Sequence, residues 1–382
     1  MRTTAELAIV GGGIMGLSIA YHLAKKRHTD VVVLESSYVA SGASGRNGGG
    51  VRAQWSSSRN VRLMQESIAL CRNFARELKV NIWLRQGGYL FLARNAADLA
   101  RLEKNAALQN QLGVKTRLLS ASEANQVVPE LRLDDFAGAA YNPDDGIVFP
   151  WSFLWGYAAR ASELGVEFRT HEAVLSIERG DGYLLRTTKG TLRARRVINA
   201  AGAWSPRIAK MVGLELPNHP VRHEIFSSEP LKPFLQPMVS VVGTGLYFSQ
   251  SMRGEIVSGI TVPGHGACSV EDSMKSSLAF LEHVGPALVG LCPRFADVKV
   301  LRAWAGPYDE TEDGNPIVGA PEAMPDFFLC CGFSGHGFMM APVIGKRYAE
   351  LLTGGARDEL FDKWCLERFA RGELDREDFS IG

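Results

Sequence analysis

Residues 6–35 constrain this chain more than any other stretch of it. Leu7 to Val10 is an apolar run of strand length that ends on Gly11-Gly12-Gly13. From Met15 the apolar spacing becomes helical, with Met15, Leu17, Ile19, Ala20, Leu23 and Ala24 gathered towards one side. Val31 to Leu34 is a second buried-strand run, closed by Glu35. The spacing predicts a βαβ unit with a right-handed crossover. Gly11, Gly13 and Gly16 then occupy the three positions of a dinucleotide fingerprint. The first permits the tight turn, the second lets the backbone approach a pyrophosphate, and the third lets helix and strand pack closely. Phosphates would sit at the helix start, at Ile14 and Met15, where unpaired N–H groups and the positive dipole end point outward. Glu35 lies about twenty residues on, where a carboxylate accepts hydrogen bonds from a ribose, and Ser36 follows it. The plainer reading is a glycine-rich core turn with a solvated Glu35.

The chain of 382 residues is long enough for two or three domains. Its net charge of +1 argues against nucleic acid, because no basic excess is present to neutralise phosphates. The six cysteines show no C-x-x-C spacing, so neither zinc nor an iron–sulfur cluster is indicated within the chain. The apolar stretch Leu7 to Ala24 carries its basic Lys25-Lys26-Arg27 after the apolar part, unlike a signal peptide, and reads as core. With no other long apolar run, the expected location is cytoplasmic, or peripheral to the inner membrane.

Ser36 to Trp55 is rich in Gly and Ser and too small-sided for a core strand or a stable helix. Its backbone donors, with Ser44, Arg46, Asn47, Gly48 and Gly49, suit an anionic group or a flat ring held against the main chain. A flexible surface loop is the alternative. Helical spacing runs from Ser58 to Leu78, Ala96 to Leu112, Ser120 to Val128 and Trp151 to Leu164. Trp83 to Ala93 alternates like strands around Gly87-Gly88. Short strands are expected at 166–169, 174–178 and 183–187. Arg195 to Asn199 is a buried strand that runs into Ala200-Ala201-Gly202-Ala203-Trp204, so the nucleotide-binding sheet is expected from separated pieces of sequence. From Val221 to Val262 the period is two, which predicts antiparallel strands. A helix from Ser273 to Leu291 is expected to break at Gly285-Pro286, and strand returns from Val298 to Trp304. Phe327 to Cys331 reads as a strand leading through Gly332 to Pro342 into a helix from Val343 to Leu352, whose start suits a phosphate or flavin.

Four segments together resemble one family: Gly11 to Gly16 with Glu35, Ser41 to Gly49, Asn199 to Trp204, and Asp313 to Gly319 followed by Gly332 to Pro342. The pattern is similar to the flavin-dependent amine oxidoreductases that include D-amino-acid oxidase, glycine oxidase and sarcosine oxidase. Within them, Gly-Phe-Ser-Gly-His-Gly-Phe-Met-Met-Ala-Pro most resembles the β subunits of heteromeric sarcosine oxidases, dye-linked proline dehydrogenases and related opine or hydroxyproline oxidising enzymes. The resemblance implies a mixed α/β fold, glutathione-reductase-like or D-amino-acid-oxidase-like. Its Rossmann-like FAD-binding domain would take residues 1–82, 145–220 and 312–382, and an antiparallel-sheet substrate domain 83–144 and 221–311. Beyond the residues already named, it places Val174, Ala201, Gly202, Trp204 and Gly306 at the FAD. In the last motif it adds Gly332, Gly335, His336, Gly337, Phe338 and Met339.

The implied reaction is oxidation of a Cα–N bond in a small amino acid, often a secondary amine such as proline, hydroxyproline, sarcosine or an opine. The cofactor carries the hydride chemistry, so the protein has to orient the substrate, exclude water and hold a carboxylate. Arginine is the natural clamp, because its planar fork binds a carboxylate bidentately. Arg52, just after the Gly-rich loop, and Arg302, at a strand end before Trp304, are the candidates, each with a structural salt bridge as the alternative. Tyr247 would line the pocket, His336 resembles a flavin-proximal residue, and His223 is a weaker candidate.

Departures from the family pattern narrow the reading. Monomeric sarcosine oxidases attach FAD through a cysteine where this chain has Gly306, which implies noncovalent FAD. Heterotetrameric sarcosine oxidases tether FMN to a histidine where Val148-Phe149-Pro150 stands here; that excludes covalent FMN and leaves noncovalent FMN at a subunit interface open. The oxygen-activating lysine of simple oxidases falls on Ile256 to Gly259, which has none, with Lys275 as an alternative source. The implied electron exit is a partner subunit carrying an iron–sulfur cluster or a second flavin. The rivals are a self-sufficient glycine or D-amino-acid oxidase that makes hydrogen peroxide and, from another class, a tRNA-modifying or non-catalytic flavoprotein.

Overall fold

A computed structural model of the protein describes residues 2–264 and 266–377. Two eight-stranded sheets organise them, joined by a two-stranded pair of Gly50–Val51 with Gly146–Ile147. The first sheet runs in the order Ile317–Gly319, Phe327–Cys331, Gly190–Asn199, Thr4–Val10, Val31–Leu34 and Glu167–Arg169, and two further antiparallel strands continue from Gly190–Asn199. Its centre is parallel, with Val10 opposite both Leu34 and Asn199, so three strand ends meet at one edge. Alternate residues go to opposite cores, Val31 and Val33 to one and Val32 and Leu34 to the other. Burial on both faces is why these strands read as unbroken apolar runs.

Two helices, Ile14–Lys25 and Gly337–Leu352, cover one face of that sheet and cross closely. A Cβ on Gly345 would lie 2.2 Å from the Ser18 hydroxyl, so glycine sets the approach. The second helix begins six residues before the expected Val343 and carries Pro342 inside it. Pro342 removes one intrahelical donor. Neighbouring side chains supply others there: Ser18 donates to the Ala341 carbonyl (2.7 Å) and Ser67 to that of Met339 (2.6 Å). The helix Leu278–Leu291 likewise runs through Pro286, where a break was expected. The helical stretch after Ser58 instead divides into Ser58–Cys71 and Phe74–Glu77.

The second sheet has the order Val300–Glu310, His219–Pro230, Glu255–Gly259, Tyr247–Gln250, Met238–Val241, Tyr89–Ala93, Gly138–Asn142 and Arg117–Leu119. Its pairings are antiparallel except one, since Met238–Val241 runs parallel to Tyr89–Ala93. No hairpin joins those two strands, so no turn fixes their relative direction. Residues 83–86, expected as strand before the Gly87-Gly88 turn, are irregular apart from one bridge between Arg85 and Ile147. Along Tyr89–Ala93 the side chains alternate between two cores: Leu90 and Leu92 join Phe248 and Phe280, while Tyr89 and Phe91 join Met238 and Tyr247. The second group faces the first sheet, and the cleft lies between them.

Candidate active site

The nucleotide end forms where the central parallel strands stop. Gly11 has φ +116° and a Cβ there would meet the Ala200 carbonyl oxygen at 2.4 Å; on Gly16 it would meet the Gly11 oxygen at 2.0 Å. Both positions therefore need glycine for backbone packing alone. Gly13 differs, since a Cβ there would meet only the Ser44 hydroxyl, at 3.2 Å. A Cβ on Gly202, which has φ +53°, would meet nothing within 4 Å. This open space beside Gly13 and the 201–204 turn is where a pyrophosphate fits against bare backbone, so the residues present suit a dinucleotide. Asn199 braces that turn by accepting from Ala201 N–H (3.3 Å) and donating to the Ser205 carbonyl (2.9 Å).

Glu35 is held rigidly. One carboxylate oxygen accepts from Gly12 N–H at 2.8 Å, and the other from Ser37 N–H at 2.8 Å and from the Ser36 and Ser41 hydroxyls. The strand that starts at Val174 is brought alongside by Glu172 N–H, which donates to the Glu35 carbonyl at 2.8 Å. Ser44 caps the nucleotide helix from outside, accepting from Ile14 N–H at 2.9 Å. The Gly-rich loop is thereby pinned to the helix that begins the site.

That loop is ordered by its own polar groups. Arg46 folds back, donating to the Gly42 carbonyl at 2.8 Å and to that of Ser41, so its guanidinium staples the loop. Asn47 donates to the Ser44 carbonyl (2.5 Å) and accepts from Gly49 N–H (2.7 Å). Trp304 donates to the Arg46 carbonyl at 3.0 Å, and Gly306 packs against the Arg46 stem, with a built Cβ 3.2 Å from its Cδ. Trp204 covers the loop near Gly42. From the other side comes the turn after Phe327–Cys331, with Gly332 at φ +72° and Gly335 at φ +82° against the Tyr308 ring. The buried Asp309 carboxylate accepts from Gly332 N–H and from Asn218, both at 2.5 Å. Burial pushes its pKa up to about 6 against those bonds. Gly337 lies near the Met15 side chain, which joins the last motif to the first.

Between loop and sheet lies a cleft lined by Asn47, Gly48 to Gly50, Arg52, Tyr89, Met238, Ser240, Tyr247, Tyr308 and Gly335, His336, Phe338 and Met339. Arg52 is 2% exposed, its guanidinium over the Trp55 ring at 4.1 Å. It donates to the Gln54 carbonyl and lies 3.3 Å from His336 Nε2. Burial pushes its pKa down and the carboxylates of Glu377 and Asp145 oppose this; a guanidinium stays charged regardless. Burial first and Arg52 second hold His336 well below its usual pKa, so it is neutral. Because Arg52 has only donors, Nε2 accepts and the proton sits on Nδ1. His336 Nδ1 has no hydrogen-bond partner among the described residues. A buried donor left so costs free energy that a bound acceptor would recover.

Among the sequence candidates, Arg52, Tyr247 and His336 meet in this cleft, whereas Arg302 is exposed, its guanidinium 5.5 Å from the Trp304 ring. Lys275 is also exposed, its main chain bridged to Trp304, and no lysine is among the lining residues. Sequence reasoning missed Tyr89, Met238, Ser240 and Tyr308. Only Tyr308 left a trace, since it stands two residues beyond Gly306 on the same face of its strand. It stacks on His223 with ring centres 3.8 Å apart, and burial raises its pKa to about 12.

A parallel sheet with a glycine turn at its strand ends, closed by a second sheet over a buried Arg–His pair, defines a nucleotide-cofactor oxidoreductase. The chain belongs to the family of FAD dependent oxidoreductases called DAO, which matches residues 6–351. It is 31% identical over 97% of its length to a sarcosine oxidase subunit beta of Rhizobium meliloti, of which it covers 89%. A glycine oxidase of Geobacillus kaustophilus is 30% identical over 91% of the chain and 92% of that protein. Among solved structures, the L-proline dehydrogenase from P. horikoshii superposes with a TM-score of 0.92, at 33% identity, over 98% of this chain and all of that one. The chain is accordingly an FAD-dependent amino acid or amine oxidoreductase. Among the described residues no helix is long and apolar enough to cross a membrane.

Proposed function

We propose that the chain oxidises the Cα–N bond of a small amino acid whose nitrogen is a secondary amine, of the proline, hydroxyproline, sarcosine or opine kind. The observation that carries the amino acid carboxylate is the buried Arg52 beside neutral His336, in a cleft walled by phenol rings and apolar side chains; the secondary amine is supported by similarity to an L-proline dehydrogenase and to sarcosine oxidase β subunits. Arg52 receives the substrate carboxylate, and a planar fork in a desolvated site holds it bidentately. Tyr89, Tyr247, Tyr308 and Met238 exclude water around the amine. FAD supplies the hydride acceptor, held noncovalently between the nucleotide end, the 41–50 loop and the 332–339 turn. In this reading the first sheet and its helices belong to a cofactor domain of residues 1–82, 145–220 and 312–382, and residues 83–144 and 221–311 form the substrate domain; residues 1, 265 and 378–382 of these ranges lie outside the described residues.

Similarity to sarcosine oxidase β subunits supports a place in a heteromeric enzyme; the proposal extends this to a cytoplasmic dehydrogenase that passes electrons to a partner subunit with an iron–sulfur cluster or second flavin, with noncovalent FMN at that interface. No lysine is among the described lining residues, and Arg52 is held by the Gln54 carbonyl and His336 as the carboxylate receptor, which supports slow reaction with oxygen. Glycine oxidase similarity favours the self-sufficient alternative. Anaerobic mixing of the purified protein with L-proline, D-proline, 4-hydroxyproline, sarcosine, glycine and opines tests the substrate class. Bleaching of the flavin by a secondary amine is the expected result, and no bleaching by any amino acid would overturn the reading. Mixing the reduced protein with oxygen or with an artificial dye separates the two alternatives: the dye is expected to win.

A further inference from the structure

We propose that Asp145 is a positioning residue for substrate capture, tying the loop that carries Arg52 to the strand that carries Tyr89. The inference rests on Arg52 as the carboxylate receptor. Asp145 is fully buried. Its Oδ1 accepts from Ala53 N–H at 2.7 Å and from Asn142 Nδ2 at 2.8 Å, and its Oδ2 accepts from Gln54 Nε2 at 3.0 Å. The same Gln54 Nε2 donates to the Tyr89 carbonyl at 3.1 Å, while the Gln54 carbonyl accepts from Arg52. Gln54 is thus held at its side chain by Asp145 and holds the guanidinium through its main chain. Asn142 stands opposite Tyr89 in the second sheet. One carboxylate therefore links the loop that carries Arg52 to the second-sheet strand that carries Tyr89.

Ionised, as it is above about pH 7, Asp145 is the acceptor-only group that the site needs, because three donors converge on its two oxygens. An amide of the same shape fails in either orientation. With its oxygen towards Ala53 its NH2 faces the Gln54 NH2, and flipped it faces both Ala53 N–H and Asn142. Asp145→Asn therefore releases Gln54 or Ala53, and each lies next to Arg52 or bonds to it.

The test titrates furan-2-carboxylate, a flat and unreactive carboxylate, and its uncharged analogue furan-2-carboxamide into the FAD-loaded protein, following the flavin absorbance. Asp145→Asn and Gln54→Met should keep the wild-type flavin content and lose affinity for the carboxylate roughly tenfold, the size of one hydrogen bond to a charged group, with carboxamide affinity unchanged. For the amino acid that bleaches the flavin, KM should rise and kcat hold. Unchanged carboxylate affinity in Asp145→Asn, or an equal loss for both ligands, overturns the proposal. If Asp145→Asn does not fold, Gln54→Met decides it by the same comparison. Arg52→Lys separates the underlying reading: if it leaves carboxylate affinity intact, Arg52 is not the receptor, whatever Asp145 does. Wild-type protein that binds neither ligand counts against both.

Discussion

The nucleotide end and the substrate cleft are built on different principles. At the nucleotide end, Gly11, Gly13, Gly16 and Glu35 lie within one βαβ unit, whose local geometry brings them together. In the cleft, Arg52, Tyr89, Tyr247, Tyr308 and His336 come from five separate segments and meet only because two sheets face each other. The first is specified by local geometry, the second by strand register and buried polar anchors. A one-residue slip in register would turn Tyr308 from the cleft to the opposite face and leave the glycine turn intact.

The comparison breaks first at the glycines, where the largest effect is expected. Gly16→Val forces a branched side chain onto a backbone oxygen that even a Cβ would meet at 2.0 Å, so helix and strand must part. That variant should be insoluble or free of flavin. Gly13→Ala adds its methyl where only the Ser44 hydroxyl is near. It should fold with a melting temperature near wild type yet purify with much less FAD. Flavin absorbance per chain and a thermal melt distinguish the two cases; wild-type flavin content in both would remove the nucleotide assignment.

The cleft answers to charge. Arg52→Lys keeps the charge and loses the fork, and disrupting a desolvated charge pair costs about 2 to 5 kcal/mol, read as a rise in KM or a fall in kcat/KM. Arg302→Lys, on an exposed side chain, should leave both constants unchanged. The reverse pattern would mean that the substrate enters over Trp304 instead.

What could be read from the sequence follows the same division. Gly11 to Glu35, the small-residue turn after Asn199 and the 332–339 motif were legible because glycine at a turn carries a backbone requirement with it. Tyr89 was not, because Tyr89–Ala93 is buried on both faces, and a strand reading does not say which of its side chains faces the cleft. Arg302 and Arg52 looked alike as sequence, each near a Gly-rich or aromatic signal. Their difference is burial, which depends on what packs over them. The two prolines that were expected to limit helices were misread for a related reason. A proline's lost hydrogen bond is a local cost, and the packing of Gly337–Leu352 against Ile14–Lys25 and Ser58–Cys71 outweighs it.

Asp309 tests whether the 332–339 turn belongs to the cleft's anchored half. Asp309→Ala leaves Gly332 N–H and the Asn218 amide without their buried acceptor, at a cost of about 1 to 3 kcal/mol. Chemical denaturation measures that loss. Flavin content should fall with it, because the turn that carries His336 is released. A variant as stable as wild type would show that backbone geometry alone holds the turn.

The smallest effect distinguishes buried imidazoles from a buried carboxyl by sign. His22, buried in the nucleotide helix, has its pKa pushed down to about 3 by burial first and by Lys25 and Lys346 next. Between about pH 3 and 6.5 the unfolded chain therefore binds the extra proton, and stability rises with pH by at most about 1.4 kcal/mol per unit. His336 adds in the same direction. Asp145 is opposite: burial lifts it to about 7, opposed by its bonds to Ala53, Gln54 and Asn142 and by Arg52. Between its usual value and 7 the native state holds the extra proton, so its contribution is full at low pH and is lost as pH rises. His22→Gln should thus lose stability relative to wild type as pH climbs from about 4 to 7, and Asp145→Asn should gain it over the same range. Thermal melts of the three proteins across that range decide the point. Parallel slopes for both variants would mean that the two groups titrate alike in folded and unfolded chains.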